Sequence, residues 1–145
     1  MSESPDRVAV VIGGASGIGA GIAAAFTGDG WRTVAADLPS TDATPVDVTD
    51  EDSVAALLDG VLAEHGRLDV VVNSAGVSTL GNVVDLAADE WRRVVDVCLT
   101  GAFLVIKHAG QRLSEGGSVI SLSSLNARQP GAGLAPYCAA KAGLS

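Results

Sequence analysis

RVAVVIGGASGIGAGIAAAFTGDG, residues 7–30, decides the fold. Arg7 to Ile12 form a short apolar run that stops at Gly13. Such a run reads as a strand buried on both faces of a parallel sheet. Ile18, Ile22, Ala25 and Phe26 then recur at helical spacing, and Gly28 and Gly30 end the stripe. The turn between them is Gly13-x-x-x-Gly17-x-Gly19. Glycines let a backbone turn sharply and come close to a pyrophosphate. The helix behind them offers unpaired N–H groups and a positive dipole end. The spacing differs from the usual G-x-G-x-x-G fingerprint, and a glycine-rich turn in a tight α/β fold can be purely structural.

Outward from that turn, strands and helices alternate. A second strand is expected over 31–36, closed by Asp37, and a third over 44–48 after a loop at 39–42. Thr49-Asp50-Glu51-Asp52 resembles a capping box with Asp in its last place. The helix it opens carries Val54, Leu57, Leu58, Val61 and Leu62. A fourth strand over 68–72 ends at Asn73-Ser-Ala-Gly76, and 77–86 is loop. Trp91, Val94, Val95, Cys98, Leu99, Ala102, Phe103 and Ile106 predict one long helix over 88–113, with Gly101 allowing a bend or close packing. A fifth strand follows over 118–123, then a loop with Pro130, Gly131 and Gly133, then a helix near Leu134.

This alternation implies right-handed crossovers and an α/β, Rossmann-like doubly wound parallel sheet of order 3-2-1-4-5. Ligands of such sheets sit at the carboxyl ends of the strands. Gly13, Asp37, Asn73 and Ser124 follow strands 1, 2, 4 and 5, so they converge on one rim.

Composition bounds the partners. The chain has 145 residues, 48% of them hydrophobic, which is enough for one domain with a core. A net charge of −8 argues against nucleic acid or an anionic membrane surface as partner. It leaves room for a dinucleotide held by backbone N–H groups. The start, MSESPDR, has no basic-then-apolar signal pattern, and no apolar run reaches membrane-spanning length. Cys98 and Cys138 form no metal or C-x-x-C spacing. They read as buried free thiols of a reducing compartment, hence a cytoplasmic protein. His65 and His108 are isolated and read as unremarkable.

Several residues carry candidate chemistry. A carboxylate at Asp37 can accept from the ribose 2′-OH of NAD and would repel the extra phosphate of NADP. Gly14, Ala15 and Ser16 include no cation to attract that phosphate. Asp47, with Val48, reads either as a contact to the adenine edge or as a turn Asp. Asn73 to Gly76 could set small residues against a cofactor ribose, or simply turn the strand end. Tyr137 and Lys141 are four apart, so a helix stacks them on one face. The ammonium favours the phenolate and pulls the phenol pKa down from ~10, towards proton transfer near neutral pH. Ser124, thirteen residues before Tyr137, could hold a substrate oxygen.

Taken in order, GGASGIG (13–19), Asp37, DVTD (47–50), NSAG (73–76), the block WRRVVDVCLTGAF (91–103), Ser124 and YCAAK (137–141) resemble the short-chain dehydrogenase/reductase family. The resemblance implies NAD(P)-dependent hydride transfer between a secondary alcohol and a ketone or aldehyde. It assigns Tyr137 as general acid/base, Lys141 to tune it and hold the nicotinamide ribose, and Ser124 to orient the substrate oxygen. It implies a cofactor held by Gly13, Ser16, Gly17, Ile18, Gly19, Asp37, Asp47, Val48, Asn73, Ala75 and Gly76, with Tyr137 and Lys141. Asp37 implies NAD rather than NADP. No metal is implied.

The chain departs from the family in three places. Ile12 stands where a Thr hydroxyl usually braces the glycine turn. Cys98 stands where an Asn usually keeps a helix bend and a water relay behind the lysine. Family members also run on past the lysine with two more strands and a substrate-covering loop. The resemblance therefore implies that residues 1–145 are one NAD-binding domain, incomplete at its C-terminus, with the fifth strand left as an apolar edge. The intact parent would be a homodimer or homotetramer paired through the 88–113 helix. The alternative is a non-catalytic dinucleotide-binding protein or inactive fragment. A methyltransferase-like or nucleotide-sugar-binding domain would share only the glycine turn.

Overall fold

The computed structural model describes residues 6–145. The first five residues of the polar N-terminal stretch, read above as carrying no signal, lie outside the described residues. Strands β1 (Val8–Ile12), β2 (Arg32–Asp37), β3 (Thr44–Pro45), β4 (Val70–Asn73) and β5 (Ser118–Ser121) form one sheet of order β3-β2-β1-β4-β5. All its pairings are parallel, as the alternation predicts. The helices are α1 (Gly17–Gly28), α2 (Glu51–His65), α3 (Ala88–Val95), α4 (Gly101–Gly110) and α5 (Ala135–Leu144).

Every residue of β1 is buried, because helices cover both faces of the central strand. Alternate residues divide between two cores. Val8, Val10 and Ile12 meet Leu57, Leu58 and Val61 of α2 and Val105 of α4. Val11 and Val72 meet Ile22, Ala23 and Phe26 of α1 on the other face. The register then sets the functional rim. Ile12 pairs with Ala36 on one side and Asn73 on the other, and Asn73 pairs with Ser121. Three strand ends thus finish level.

Local details differ from the sequence reading. The cap of α2 is Asp50, whose carboxylate accepts from Asp52 N–H at 3.0 Å. Thr49 lies one residue before that cap, and its N–H and hydroxyl both donate to Asp47 Oδ1, at 2.9 and 2.7 Å. Strand β3 is two residues rather than five. Pro45 has no N–H to extend a ladder, although Val46 N–H still reaches Asp37 O at 2.7 Å. Strand β5 ends at Ser121, two residues early, and is the outer strand, with Ile120 half-exposed. The single helix expected over 88–113 is broken by a π turn, Asp96–Thr100. Packing is close on both sides of the break. A Cβ at Gly101 would lie 2.8 Å from Val48 Cγ2, and Cys98 is drawn to Val77. Trp91, Phe103 and Ile106 of the expected apolar face are exposed in the chain as described.

Two polar links were not foreseen. Asp69 is buried and accepts from Val8 N–H at 2.8 Å while Arg67 donates to it at 2.8 and 2.6 Å, clipping the start of β1 to β4. His108, read as unremarkable, is buried between α2 and α4. Its Nε2 lies 2.9 Å from Glu51 Oε1, its Nδ1 lies 3.1 Å from Arg112 Nη1, and Arg112 forks onto Asp59. Both cysteines are free and buried. Among the described residues no helix is long and apolar enough to cross a membrane.

The Arg67 guanidinium, with the Val8 N–H, holds the Asp69 carboxyl below its usual range. Its ionised form is therefore favoured by folding. That contribution is present above the ordinary carboxylate pKa and disappears as pH falls through the depressed one. Asp69→Asn should cost about 1–3 kcal/mol at neutral pH. Urea unfolding at pH 7 and again in acid checks this: the gap between wild type and variant should narrow in acid. Gly19→Ala, whose new methyl would meet Gly13 O at 2.0 Å, should cost about 1–3 kcal/mol in the same assay.

Candidate active site

The rim carries a cleft of about 330 Å³ between the β1–α1 turn and the ends of β2, β3 and β4. Its glycines have separate reasons. A Cβ at Gly13 would lie 2.8 Å from Ala75 N, and one at Gly19 would lie 2.0 Å from Gly13 O, so both positions are demanded by backbone packing. Gly17 is different. It takes φ +54 at the start of α1, and its absent Cβ would meet nothing within 4 Å. The space it leaves belongs to the cleft. Ser16 precedes it with no side-chain cap bond, and no acidic residue stands in the first turn of α1. This N-terminus therefore offers free N–H groups and a hydroxyl to an anion.

Ile12 is buried, and backbone braces the turn. Gly13 and Gly14 N–H donate to Ala36 O at 2.8 and 3.0 Å. Asp37 adds a carboxylate, accepting from Ala15 N–H at 3.0 Å and from Leu38 N–H at 2.8 Å. The same carboxylate lines the cleft.

The structure brings most of the expected cofactor residues together. Gly13, Ser16, Gly17, Ile18, Asp37, Asp47, Val48, Ala75 and Gly76 border the cleft. Gly19 stands behind it, under Gly13. Asn73 is buried, and its Oδ1 accepts from Ala75 N–H at 3.2 Å, shaping the turn from inside. Asp47 borders the cleft and is also the turn Asp, through its two bonds from Thr49. Ile18, part of the helical stripe of α1, is 68% exposed and turns into the cleft.

A second pocket of about 260 Å³ adjoins the first. Tyr137 and Lys141 line it, and it shares Ile18, Ser74, Gly76 and Val77 with the cleft. Lys141 is only 5% exposed. Its Nζ donates to Leu122 O at 2.7 Å and lies 5.6 Å from the centre of the Tyr137 ring. Burial pushes the ammonium below its ordinary pKa, with the nearby Cys98 opposing. Tyr137 packs beside Val94, Cys98 and Ala140, so the π turn supports it.

Ser124 borders neither pocket. Its Oγ accepts from Asn126 N–H at 3.1 Å, capping a short 3-10 turn, Leu125–Ala127, and its proton is left to donate elsewhere. Its neighbour Ser123 lines the Tyr137 pocket instead, with Oγ 3.3 Å from Lys141 O. Ser74, Val77 and Ser123 were not singled out from sequence. The only sequence signal they carry is adjacency to motif residues. Among the described residues no His/Cys/Asp/Glu group could hold a metal ion.

Comparison with known proteins gives the arrangement its context. A family model described as Enoyl-(Acyl carrier protein) reductase matches residues 13–145. D-threitol dehydrogenase of Mycolicibacterium smegmatis is 36% identical over 95% of this chain and 60% of its own length. Cis-4-hydroxycyclohexanecarboxylate dehydrogenase of Sinomonas cyclohexanicum is 41% identical over 97% of this chain and 64% of its own. The ligand-free aldohexose dehydrogenase of Thermoplasma acidophilum superposes with a TM-score of 0.87 at 30% identity, over 96% of this chain and 57% of that one. The chain thus spans about three fifths of the length of these relatives. With the matched model running from the glycine turn through Tyr137 and Lys141, the chain belongs to the short-chain dehydrogenase/reductase family.

Proposed function

We propose that the whole protein is an NAD-dependent oxidoreductase that interconverts a secondary alcohol and a carbonyl compound. The observation that carries this reading is the continuity of two pockets. One has Asp37 and the α1 N-terminus; the other has Tyr137 and Lys141; four residues border both.

The residues present fit a dinucleotide. The open space at Gly17 and the uncapped α1 N-terminus suit a pyrophosphate. Asp37 suits a ribose 2′-OH, and no cation among residues 14–16 would favour a 2′-phosphate, so NAD is the preferred cofactor. When bound, the nicotinamide supplies the hydride acceptor or donor. In the oxidative direction Tyr137 takes the hydroxyl proton as the substrate carbon loses hydride. In reduction the same hydroxyl returns a proton to the new alkoxide. Lys141 supplies positive charge beside the phenol and a donor for a ribose hydroxyl. The family pattern gives the substrate oxygen to Ser124, which caps the turn at 125–127 outside both pockets, whereas Ser123 is the serine that lines the pocket of Tyr137.

Residues 1–145 act in this reading as one dinucleotide-binding domain of the parent. The relatives named for D-threitol and cis-4-hydroxycyclohexanecarboxylate act on alcohols, which supports a small-molecule alcohol or carbonyl substrate. Exposed Phe103 and Ile106 on α4 support subunit pairing through that helix. Two free buried thiols accord with a cytoplasmic location.

Calorimetry should find NADH bound about tenfold or more tighter than NADPH, and Asp37→Ala should bring the two to near parity. Equal affinities in the wild type would overturn the NAD preference. In a full-length parent assayed with secondary alcohols and ketones, Tyr137→Phe should lose about 10²–10⁴-fold in kcat. Unchanged turnover would refute the role of the phenol. NADH binding without turnover in the intact parent would favour the non-catalytic reading. Lys141→Met should abolish turnover while leaving Tm unchanged or higher, because a buried charge is removed.

A further inference from the structure

Residues 74–77 form the wall between the cleft and the Tyr137 pocket, yet they belong to no regular element. Ser74 N–H donates to Ile12 O at 2.9 Å, and Ala75 N–H to Asn73 Oδ1 at 3.2 Å. Val77 is held by one side chain. Cys98 Sγ donates to Val77 O at 3.1 Å and accepts from Val77 N–H at 3.4 Å. A single thiol thus takes both main-chain groups of one residue, as an adjacent strand would. Cys98 sits in the middle of the π turn Asp96–Thr100 and is 1% exposed. The wider i→i+5 turn displaces it from a regular helical position, a distortion that recurs at functional sites.

The same thiol also faces the lysine. A methyl placed on Gly76 would touch Cys98 Sγ at 3.8 Å and Lys141 Nζ at 3.9 Å, so thiol and ammonium flank one glycine. Burial alone would suit a Cys as a small apolar residue. It does not account for a sulfur aligned with the donor and the acceptor of the same backbone residue.

We propose that Cys98 is a positioning residue whose thiol latches Val77 and so sets the wall shared by the cofactor cleft and the Tyr137 pocket. Its functional consequence rests on the dinucleotide reading above; the latch itself does not. A hydroxyl or an amide can also donate and accept at this position, whereas Ala or Val can do neither.

The test uses Cys98→Ala, Cys98→Ser and Cys98→Asn in the 145-residue chain, with Cys98→Val as the volume-keeping replacement if Ala fails to fold. Two quantities are read: hydrogen exchange of the Val77 amide by NMR, and NADH affinity by calorimetry. In the Ala or Val variant, Val77 should exchange about tenfold faster, and the NADH Kd should rise about three- to tenfold. The Ser and Asn variants should keep Val77 protection and an NADH Kd within about twofold of wild type, even where their Tm falls. Unchanged Val77 exchange in the Ala variant overturns the proposal. So does a Ser variant as impaired as Ala, since that ordering is what packing alone would produce. A wild type that binds no NADH refutes the dinucleotide reading, and the Val77 ordering then decides the latch by itself.

Discussion

At the end of β1 three stretches of backbone meet with no room for a side chain. The Gly13 carbonyl occupies the place a Gly19 methyl would need, and the Ala75 backbone occupies the place a Gly13 methyl would need. This close approach draws the start of α1 and the segment after β4 onto one point. The pairing of Ile12 with both Ala36 and Asn73 then puts Asp37 and residues 74–77 level with it. A bulkier residue at either glycine would hold α1 away from the strand end. The N–H groups of its first turn would no longer border the cleft, and the wall shared by the two pockets would move with the 74–77 segment.

Around this junction the chain keeps features that a merely stable protein would avoid. An ammonium is buried at Lys141 with one carbonyl acceptor from the protein, and burial works against its charge. A large apolar side chain, Ile18, lies open to the cleft. A helix is widened into a π turn beside Tyr137. Such departures from local rules concentrate at functional sites and are offset elsewhere. Here the offset lies in the fully buried β1, in the Asp69 clip at the opposite end of that strand, and in the polar chain from Glu51 through His108 and Arg112 to Asp59. The last of these is partly exposed. Its value lies less in energy than in fixing how α2 lies against α4.

Much of the fold was legible because its signals are local. The run ending at Ile12, the glycine turn and the helical stripe after it lie within 24 consecutive residues, 7–30. The strand order followed from alternation and crossover handedness. Element ends were read less well. Spacing makes Thr49 a cap candidate and does not show that Asp50, one residue on, takes that place. The apolar positions of 88–113 keep a helical period straight through the π turn, so the sequence predicts one unbroken helix there. Its exposed Trp91, Phe103 and Ile106 show the same limit: a period says which residues share a face, not whether that face is covered.

The sequence by itself determined the parallel sheet, the rim on which its strands end, and the pairing of Tyr137 with Lys141 on one helical face. These depend on neighbours within a turn or a strand length. Only the tertiary structure decided that Ser123 rather than Ser124 lines the Tyr137 pocket, that Cys98 grips Val77, and that Asp69 ties down Val8. The partners in the last two contacts are 21 and 61 residues apart. Their meeting depends on how the helices settle on the sheet, and no local pattern of side chains encodes that distance.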